Sequence, residues 1–390
     1  MRWRTVRRVA ATVFVALAVP GAVAAAGIAE ATGAIYTPRE PGAPPAPVDT
    51  TASPTHDPGK PTAVILLGSE GANGADVLAE AGLLDGRPAT SHWLGLIGLR
   101  RNHPGVRWTD GVTYVDDGDV ISTAGVLSGV DGAPRVVERM VGQAAAAKAA
   151  RAVAWPAYHP GGPAPIQRRS RPAPADVVGL LSAGYRWDRP STGVLLTDGV
   201  GEIELASAFR PYTELSYLAR PVAVTTDGRP VRSRHGLTFA PRADLASAAP
   251  RLDRLVVPGA DAARRAAADG LDLPEGLAPM YLHDQPGFAF DAALVDIART
   301  RDVATARWVA KTLQYPTGDP RLSGPAWPWT LTLRPILLAA ATIAAVLGVR
   351  FLRHRRRGGF RGGDRAAPPA QPADTSSNVD PSFHLTRRRS

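Results

Sequence analysis

The chain of 390 residues carries 45 Lys and Arg against 35 Asp and Glu, for a formal net charge of +10, and has no cysteine. That last count excludes disulfides, thiolate catalysis, thiol redox chemistry and cysteine zinc sites in any compartment. The basic excess points away from nucleic acid, because much of it flanks two apolar stretches: Arg2, Arg4, Arg7 and Arg8 at one end, Arg350 to Arg361 and Arg387 to Arg389 at the other.

Residues 9–28 are uncharged and, at about 20 residues, long enough to cross a bilayer. Pro20-Gly21 interrupts the run, and Ala22-Val23-Ala24 has the small-x-small pattern of a signal-peptidase site. A cleaved signal and a retained anchor both fit, and both put the following residue outside the cytoplasm. Residues 1–30 therefore form a signal peptide or anchor, and residues 31–60, rich in Pro and Ala without periodicity, a linker.

A first folded unit is expected over residues 61–167. An apolar run at 63–67 enters a turn containing Gly68, Gly71 and Gly74. A helical segment follows, with Val77, Leu78, Ala81 and Leu84 on one face, and stops at Asp85-Gly86. This is strand, tight turn, helix. Short strands are predicted at 89–93 and 106–108. Two more, at 113–115 and 120–122, flank the turn Asp116-Asp117-Gly118-Asp119. Those aspartates lack the downstream glutamate and the ligand alternation of a calcium loop, so the spacing reads as a plain turn. Helices are predicted at 126–141 and 144–155.

Residues 163–174 link this unit to a second, over residues 176–316. A strand and helix are expected within 192–210, strands at 218–225 and 255–258, and helices at 288–300 and 303–313. The similarity of AVILLGSEGANGADVLA to GVLLTDGVGEIELA suggests a degenerate tandem, and DVATARWVAKTLQYP echoes AAAAKAARAVAWPAYHP. Residues 329–352 form a transmembrane helix. Trp327 and Trp329 mark its outer interface, Arg350 and the arginines after it mark the cytoplasmic side, and Arg334 has to snorkel. A buried core helix is the alternative reading. The basic tail, residues 353–390, has too little apolar surface to fold alone. The expected location is the cell membrane, with the folded region extracytoplasmic and the tail cytoplasmic.

The passage VLAEAGLLDGRPATSHW, together with YVDDGDVISTAGVLSGVDGAPRVVERMVG and YHPGGPAPIQ, resembles the DJ-1/PfpI family of class-I glutamine-amidotransferase-like domains. The closest resemblance is to the effector domain of AraC-type regulators. In the second unit, TGVLLTDGVGEIELASAFR and the stretch ending LVVPGAD resemble the family's opening strands. The family halves thus occur in reversed order, second half before first. The resemblance implies an α/β fold of parallel-sheet, flavodoxin-like half-domains, flanked by the N-terminal signal or anchor helix and one C-terminal transmembrane helix. It places Ala72 where active relatives carry the nucleophilic cysteine, His92 at the histidine that follows the elbow, and Glu204 at the carboxylate that supports the thiolate.

A nucleophile needs an adjacent base, and Ala72 offers none. Ser69 lies in Leu67-Gly68-Ser69-Glu70-Gly71, which misses the Gly-x-Ser-x-Gly elbow by its first glycine. Glycines between a strand and a helix can hold an anion on backbone N–H groups, although this spacing is neither the dinucleotide nor the Walker pattern. The ligand-binding candidates are therefore Gly71, Asn73, His92 and Glu204, with Glu202 and Asp76 in similar helix-start positions. No catalytic residue, metal site or cofactor is expected, since the remaining histidines lack ligand spacing. The expected partners are a membrane and a small-molecule ligand, with self-association open and no nucleic acid. The sequence thus reads as a membrane-anchored, non-catalytic binding or sensing module. The alternatives are a cysteine-independent hydrolase or deglycase, and an AraC-like effector domain without a DNA-binding part.

Overall fold

The computed structural model describes residues 2–35, 74–163, 171–261, 264, 273–315 and 320–359. The chain opens with a long helix, α1 (Arg2–Ile35), which continues straight through Pro20 rather than stopping there. Pro20 keeps its carbonyl in use: the Tyr185 hydroxyl donates to it at 3.0 Å.

The next part of the chain is built from short pieces: α2 (Gly74–Glu80), β1 (Pro88–Ala89), α3 (Trp93–Asn102), β2 (Arg107–Trp108), β3 (Tyr114–Asp116), β4 (Ile121–Thr123), α4 (Val126–Val141) and α5 (Gln143–Ala152). The strand expected over 89–93 contracts to the parallel pair β1–β2, and Trp93 instead starts a helix. Trp93, Leu96 and Leu99 are its buried residues, a helical spacing that decides the matter. The turn at 116–119 does join an antiparallel hairpin, β3–β4. Asp116 there is committed to Arg135 and Arg139, both at 2.7 Å.

The second part carries α6 (Val177–Tyr185), β5 (Ser191–Leu195), α7 (Glu202–Phe209), β6 (Arg220–Thr225), the hairpin β7 (Val231–Arg232) and β8 (Thr238–Phe239), then β9 (Ala243–Asp244), α8 (Leu245–Ala248), β10 (Arg254–Val257) and β11 (Pro279–Tyr281). It closes with α9 (Ala289–Thr300), α10 (Val303–Thr312) and the long α11 (Trp329–Gly359). Five strands make one parallel sheet in the order β11-β10-β5-β6-β9, with β5 at its centre. This is an α/β arrangement of the parallel-sheet kind expected from the sequence.

Alternation along the strands sorts the core onto two faces, because successive side chains point to opposite sides. Leu195, Leu255 and Val257 face one way and pack with Leu245 and Ala248 of α8. Val194 and Val256 face the other way, into a cluster with Phe290, Leu294 and Ile297 of α9 and Ala306 and Val309 of α10. Leu127, Ala150, Trp155 and Ala157, from the earlier part of the chain, belong to this same cluster. The Trp155 ring meets Phe288 edge-on at 5.0 Å, and Phe288 stacks on Phe290 at 5.5 Å. Main chain crosses as well: the Leu127 N–H donates to the Leu313 carbonyl at 3.1 Å. Residues on either side of the 163–174 link therefore complete one core.

The two long helices run antiparallel. Arg350 of α11 donates to Thr12 Oγ1 near the start of α1, whereas Arg334 and the Gly27 end of α1 both reach the 183–189 turn. Windows of 18 residues in α1 and 27 in α11 are apolar and long enough to cross a membrane. A Cβ added at Gly27 would run into the Gly184 carbonyl, and one at Gly184 would lie 2.9 Å from Ala24 Cβ, so α1 and α6 touch through small residues.

If the shared cluster is one cooperative core, Leu127→Ala and Leu294→Ala will each lower the midpoint of the same unfolding transition, at a cost of about 2–5 kcal/mol in unfolding free energy. Two separate transitions in calorimetry, each sensitive to only one substitution, would refute a common core.

Candidate functional site

In a doubly wound parallel sheet, a crevice opens at the carboxyl ends of two neighbouring strands whose connections leave in opposite directions. Here those strands are β5 and β10. Beyond β5, residues 196–201 lead to Gly201, the N-cap of α7. Beyond β10 the chain turns at Pro258-Gly259. β11 lies next to β10 and ends two residues before His283.

Glu204 is the third residue of α7 and folds back, its Oε2 accepting the Gly201 N–H at 2.9 Å. This satisfies one of the donors a helix start leaves open. A Cβ at Gly201 would meet the same carboxylate, which would have to give up its place on the Gly201 N–H. Arg234, from the turn between β7 and β8, reaches Glu204 Oε2 at 3.2 Å and remains 44% exposed. Glu202 lies beside it. Ser233 Oγ donates to its Oε1 at 2.5 Å and the His235 N–H at 3.0 Å, and His235 Nδ1 meets Oε2 at 2.7 Å. Burial acts to raise the Glu202 carboxyl, but these bonds outweigh it and hold the group at about 2. The hairpin is thereby fastened over the start of α7.

The buried pair beneath is Ser207 and His283. His283 Nδ1 accepts the Gly259 N–H at 2.9 Å, and its Nε2 lies 2.9 Å from Ser207 Oγ. An N–H donor on Nδ1 requires that nitrogen to be bare, so the ring proton sits on Nε2 and is given to Ser207 Oγ. The Ser207 hydroxyl in turn donates a hydrogen bond to the Glu204 carbonyl at 2.8 Å. Burial pushes the His283 pKa down and keeps the ring neutral. The imidazole therefore has no lone pair free to take a proton from the serine.

The sequence-derived candidates are distributed differently. Gly71, Ala72 and Asn73, with Ser69, lie outside the described residues. Asp76, in the first turn of α2, meets His103 Nε2 at 3.3 Å. His92 precedes α3, with its Nε2 2.8 Å from the Thr312 carbonyl oxygen. A carbonyl only accepts, so Nε2–H donates, and burial lowers the His92 pKa. His92 thus ties α3 to the end of α10, whereas Glu204 stands at the switch point among residues of the second part. Sequence reasoning missed His283, Ser207 and Arg234. The available signal was YLHDQP, a histidine at a strand end following the VVPG strand. Among the described residues no group of three or more His, Asp or Glu could hold a metal ion.

No family model matches the chain, and no curated protein matches it. Solved structures similar to parts of it include an AraC family transcriptional regulator from Pseudomonas putida. That likeness has 17% identity, covers 31% of this chain and 98% of the other, and has a TM-score of 0.23. DJ-1 from Toxoplasma gondii, in its oxidized form, is similar at 14% identity over 32% of this chain and 97% of its own, with a TM-score of 0.23. A ThiJ/PfpI family protein from Pseudomonas syringae is similar at 18% identity over 40% of this chain and 90% of its own, with a TM-score of 0.24. The chain resembles DJ-1/PfpI proteins, and it does so without a cysteine.

Two substitutions test this geometry. Ser207→Ala leaves the buried Nε2–H unpaired and should cost about 1–3 kcal/mol of stability. Glu202 has a folded pKa below its ordinary 4.5, so its contribution is complete above about 4.5 and is lost as pH falls toward about 2. Glu202→Gln should lower the thermal midpoint at neutral pH and flatten its fall across that acid window. An unchanged acid limb would show that the carboxylate is not held as described.

Proposed function

We propose that the chain is a membrane-anchored, extracytoplasmic binding or sensing module of the DJ-1/PfpI kind, without catalytic activity. The observation that carries this reading is the proton arrangement at the switch point. Ser207 and His283 are the nearest thing there to a nucleophile and base, and they are wired in reverse. An activated serine gives its proton to an imidazole nitrogen; here the imidazole gives its proton to the serine. The chain has no cysteine to take the role instead.

Binding remains available to the same crevice. Switch-point crevices are where α/β sheets hold ligands, through backbone groups and a few polar side chains. Glu204 and the partly exposed Arg234 stand at the rim with one acceptor group and one donor group, which suits a small polar ligand. Two apolar helices packed side by side support membrane attachment, with the folded region between them in the chain and therefore on one side of the bilayer. The arginines in the last turns of α11 favour the cytoplasm for the tail, which leaves the folded region outside.

The test uses the full chain purified in detergent. Esterase, deglycase and glyoxalase substrates should give no turnover above buffer, and one member of a small-metabolite panel should raise the thermal midpoint by mass action. Arg234→Ala should reduce that shift without lowering the midpoint of the unliganded protein. Turnover abolished by Ser207→Ala or His283→Gln would overturn the non-catalytic reading.

A further inference from the structure

The turn between α6 and β5, the junction of α9 with α10, and the first turns of α11 meet where the folded part joins the two long helices. Four guanidiniums gather there: Arg186 at the C-cap of α6, Arg189, Arg301 at the C-cap of α9, and Arg334 of α11. The acids facing them are Asp188 and Asp302, with Asp296, already paired with Arg254 at 3.0 Å, on the Arg301 side. Asp188 is taken by Arg334 in a two-pronged pair, at 2.8 Å for each contact. Asp302 is turned inward as the N-cap of α10, accepting the Thr305 N–H at 2.7 Å and its hydroxyl at 2.8 Å. Arg189 has carbonyl partners at Ala183 and Gly27 and lies over the Tyr217 ring.

Arg186 and Arg301 are left over. Among the described residues neither has a carboxylate at ion-pair distance. Arg186 is only 6% exposed, its Nε has no hydrogen-bond partner, and its Nη2 reaches Ser182 Oγ no closer than 3.4 Å. Burial and the neighbouring Arg301 charge pull the Arg186 pKa down to about 10, which leaves it a cation at neutral pH. The C-terminal ends of α6 and α9 offer partial negative charge, worth well under one ion pair. Asp302 and Asp188 act on Arg186 only from beyond ion-pair distance, and a buried cation with no directly paired counterion is costly to the fold.

We infer that Arg186 and Arg301, with Arg334 at the edge, form a site for a phosphate anion, and that the anion is the phosphodiester of an acidic lipid in the leaflet adjoining the folded part. Guanidiniums match phosphate oxygens in fork geometry and are less strongly hydrated than ammonium groups. The lipid source follows from position. The arginine cluster lies at the base of α1 and α11, with the exposed Trp187 next to Arg186 in the chain and the exposed Trp329 at the start of α11, as tryptophans stand at headgroup depth. Trp187 also stacks on Arg334, at 4.6 Å from its guanidinium carbon to the ring centre. Basic pockets beside membrane helices hold acidic headgroups by this chemistry.

This inference rests on the membrane reading above, and the experiment separates the two. The full chain is reconstituted into phosphatidylcholine vesicles with or without phosphatidylglycerol, and flotation and the thermal midpoint are measured. The chain should float with both, and phosphatidylglycerol should raise the midpoint by about 2–4 °C, the shift expected for about 1 kcal/mol in a protein of this size. Arg186→Met and Arg301→Gln should abolish that rise. In phosphatidylcholine alone Arg186→Met should leave the midpoint unchanged or raise it, since it removes an uncompensated charge. A midpoint lowered equally in both vesicles would make Arg186 a purely structural residue and overturn the site. Flotation with equal wild-type midpoints would also overturn it, and failure to float would overturn the membrane reading itself. An equal rise produced by inorganic phosphate in phosphatidylcholine vesicles would reassign the arginine cluster to a soluble anion and refute the lipid.

Discussion

The fold depends on covering one face of a five-stranded sheet from two distant stretches of chain. Val194 and Val256 alone present a narrow apolar strip, and α9 and α10 cover part of it. Leu127, Trp155 and Ala157 cover the rest, with Phe288 held between Trp155 and Phe290 as the shared piece. The backbone bond from Leu127 to Leu313 and the His92 contact with Thr312 close the same seam with directional bonds. Apolar burial supplies the bulk of the stabilisation here, while the polar contacts fix which surfaces meet. The seam also explains why a histidine that the family resemblance associates with chemistry is found holding two helices together.

Much of the architecture is legible from local pattern. The helices 126–141, 288–300 and 303–313, the β3–β4 hairpin and the strands around 191–195 and 254–257 all follow from apolar spacing and turn residues. Three features are not legible, each for a physical reason. The helix α6, VVGLLSAGY, is packed by α1, α10 and α11 and keeps apolar Val177 and Leu180 even on its open side, so it lacks the amphipathic period that marks a surface helix. The strand β11 is three residues long, too short to alternate. The helix at Trp93 is concealed by a β-like composition before it, and its burial only becomes apparent against Trp308, whose ring lies edge-on at 6.3 Å.

The switch point shows the same limit at the level of single side chains. Glu204 is visible in the sequence because a carboxylate in the first turn of a helix has a local signature. His283 and Ser207 have none, since 76 residues separate them. Their roles are set by one backbone donor, the Gly259 N–H, which decides where the imidazole proton resides. A main-chain group contributed by the strand end thus determines the chemistry available to two side chains elsewhere, and no residue-type pattern could reveal it.

The turn that carries Arg186 and Asp188 runs into β5 with only Arg189 and Pro190 between, and five residues later the same strand delivers the chain to the crevice. By the shortest covalent route, the switch-point edge and the edge beside the two long helices are therefore joined by a single central strand about 17 Å long. A strand hydrogen-bonded on both sides resists bending and slipping alike, so it behaves as a stiff spacer. The bidentate grip of Asp188 on Arg334 fixes its near end to the start of α11. The distance between the two edges is in this sense a built-in dimension of the molecule, set by the length of one strand and independent of the surface loops.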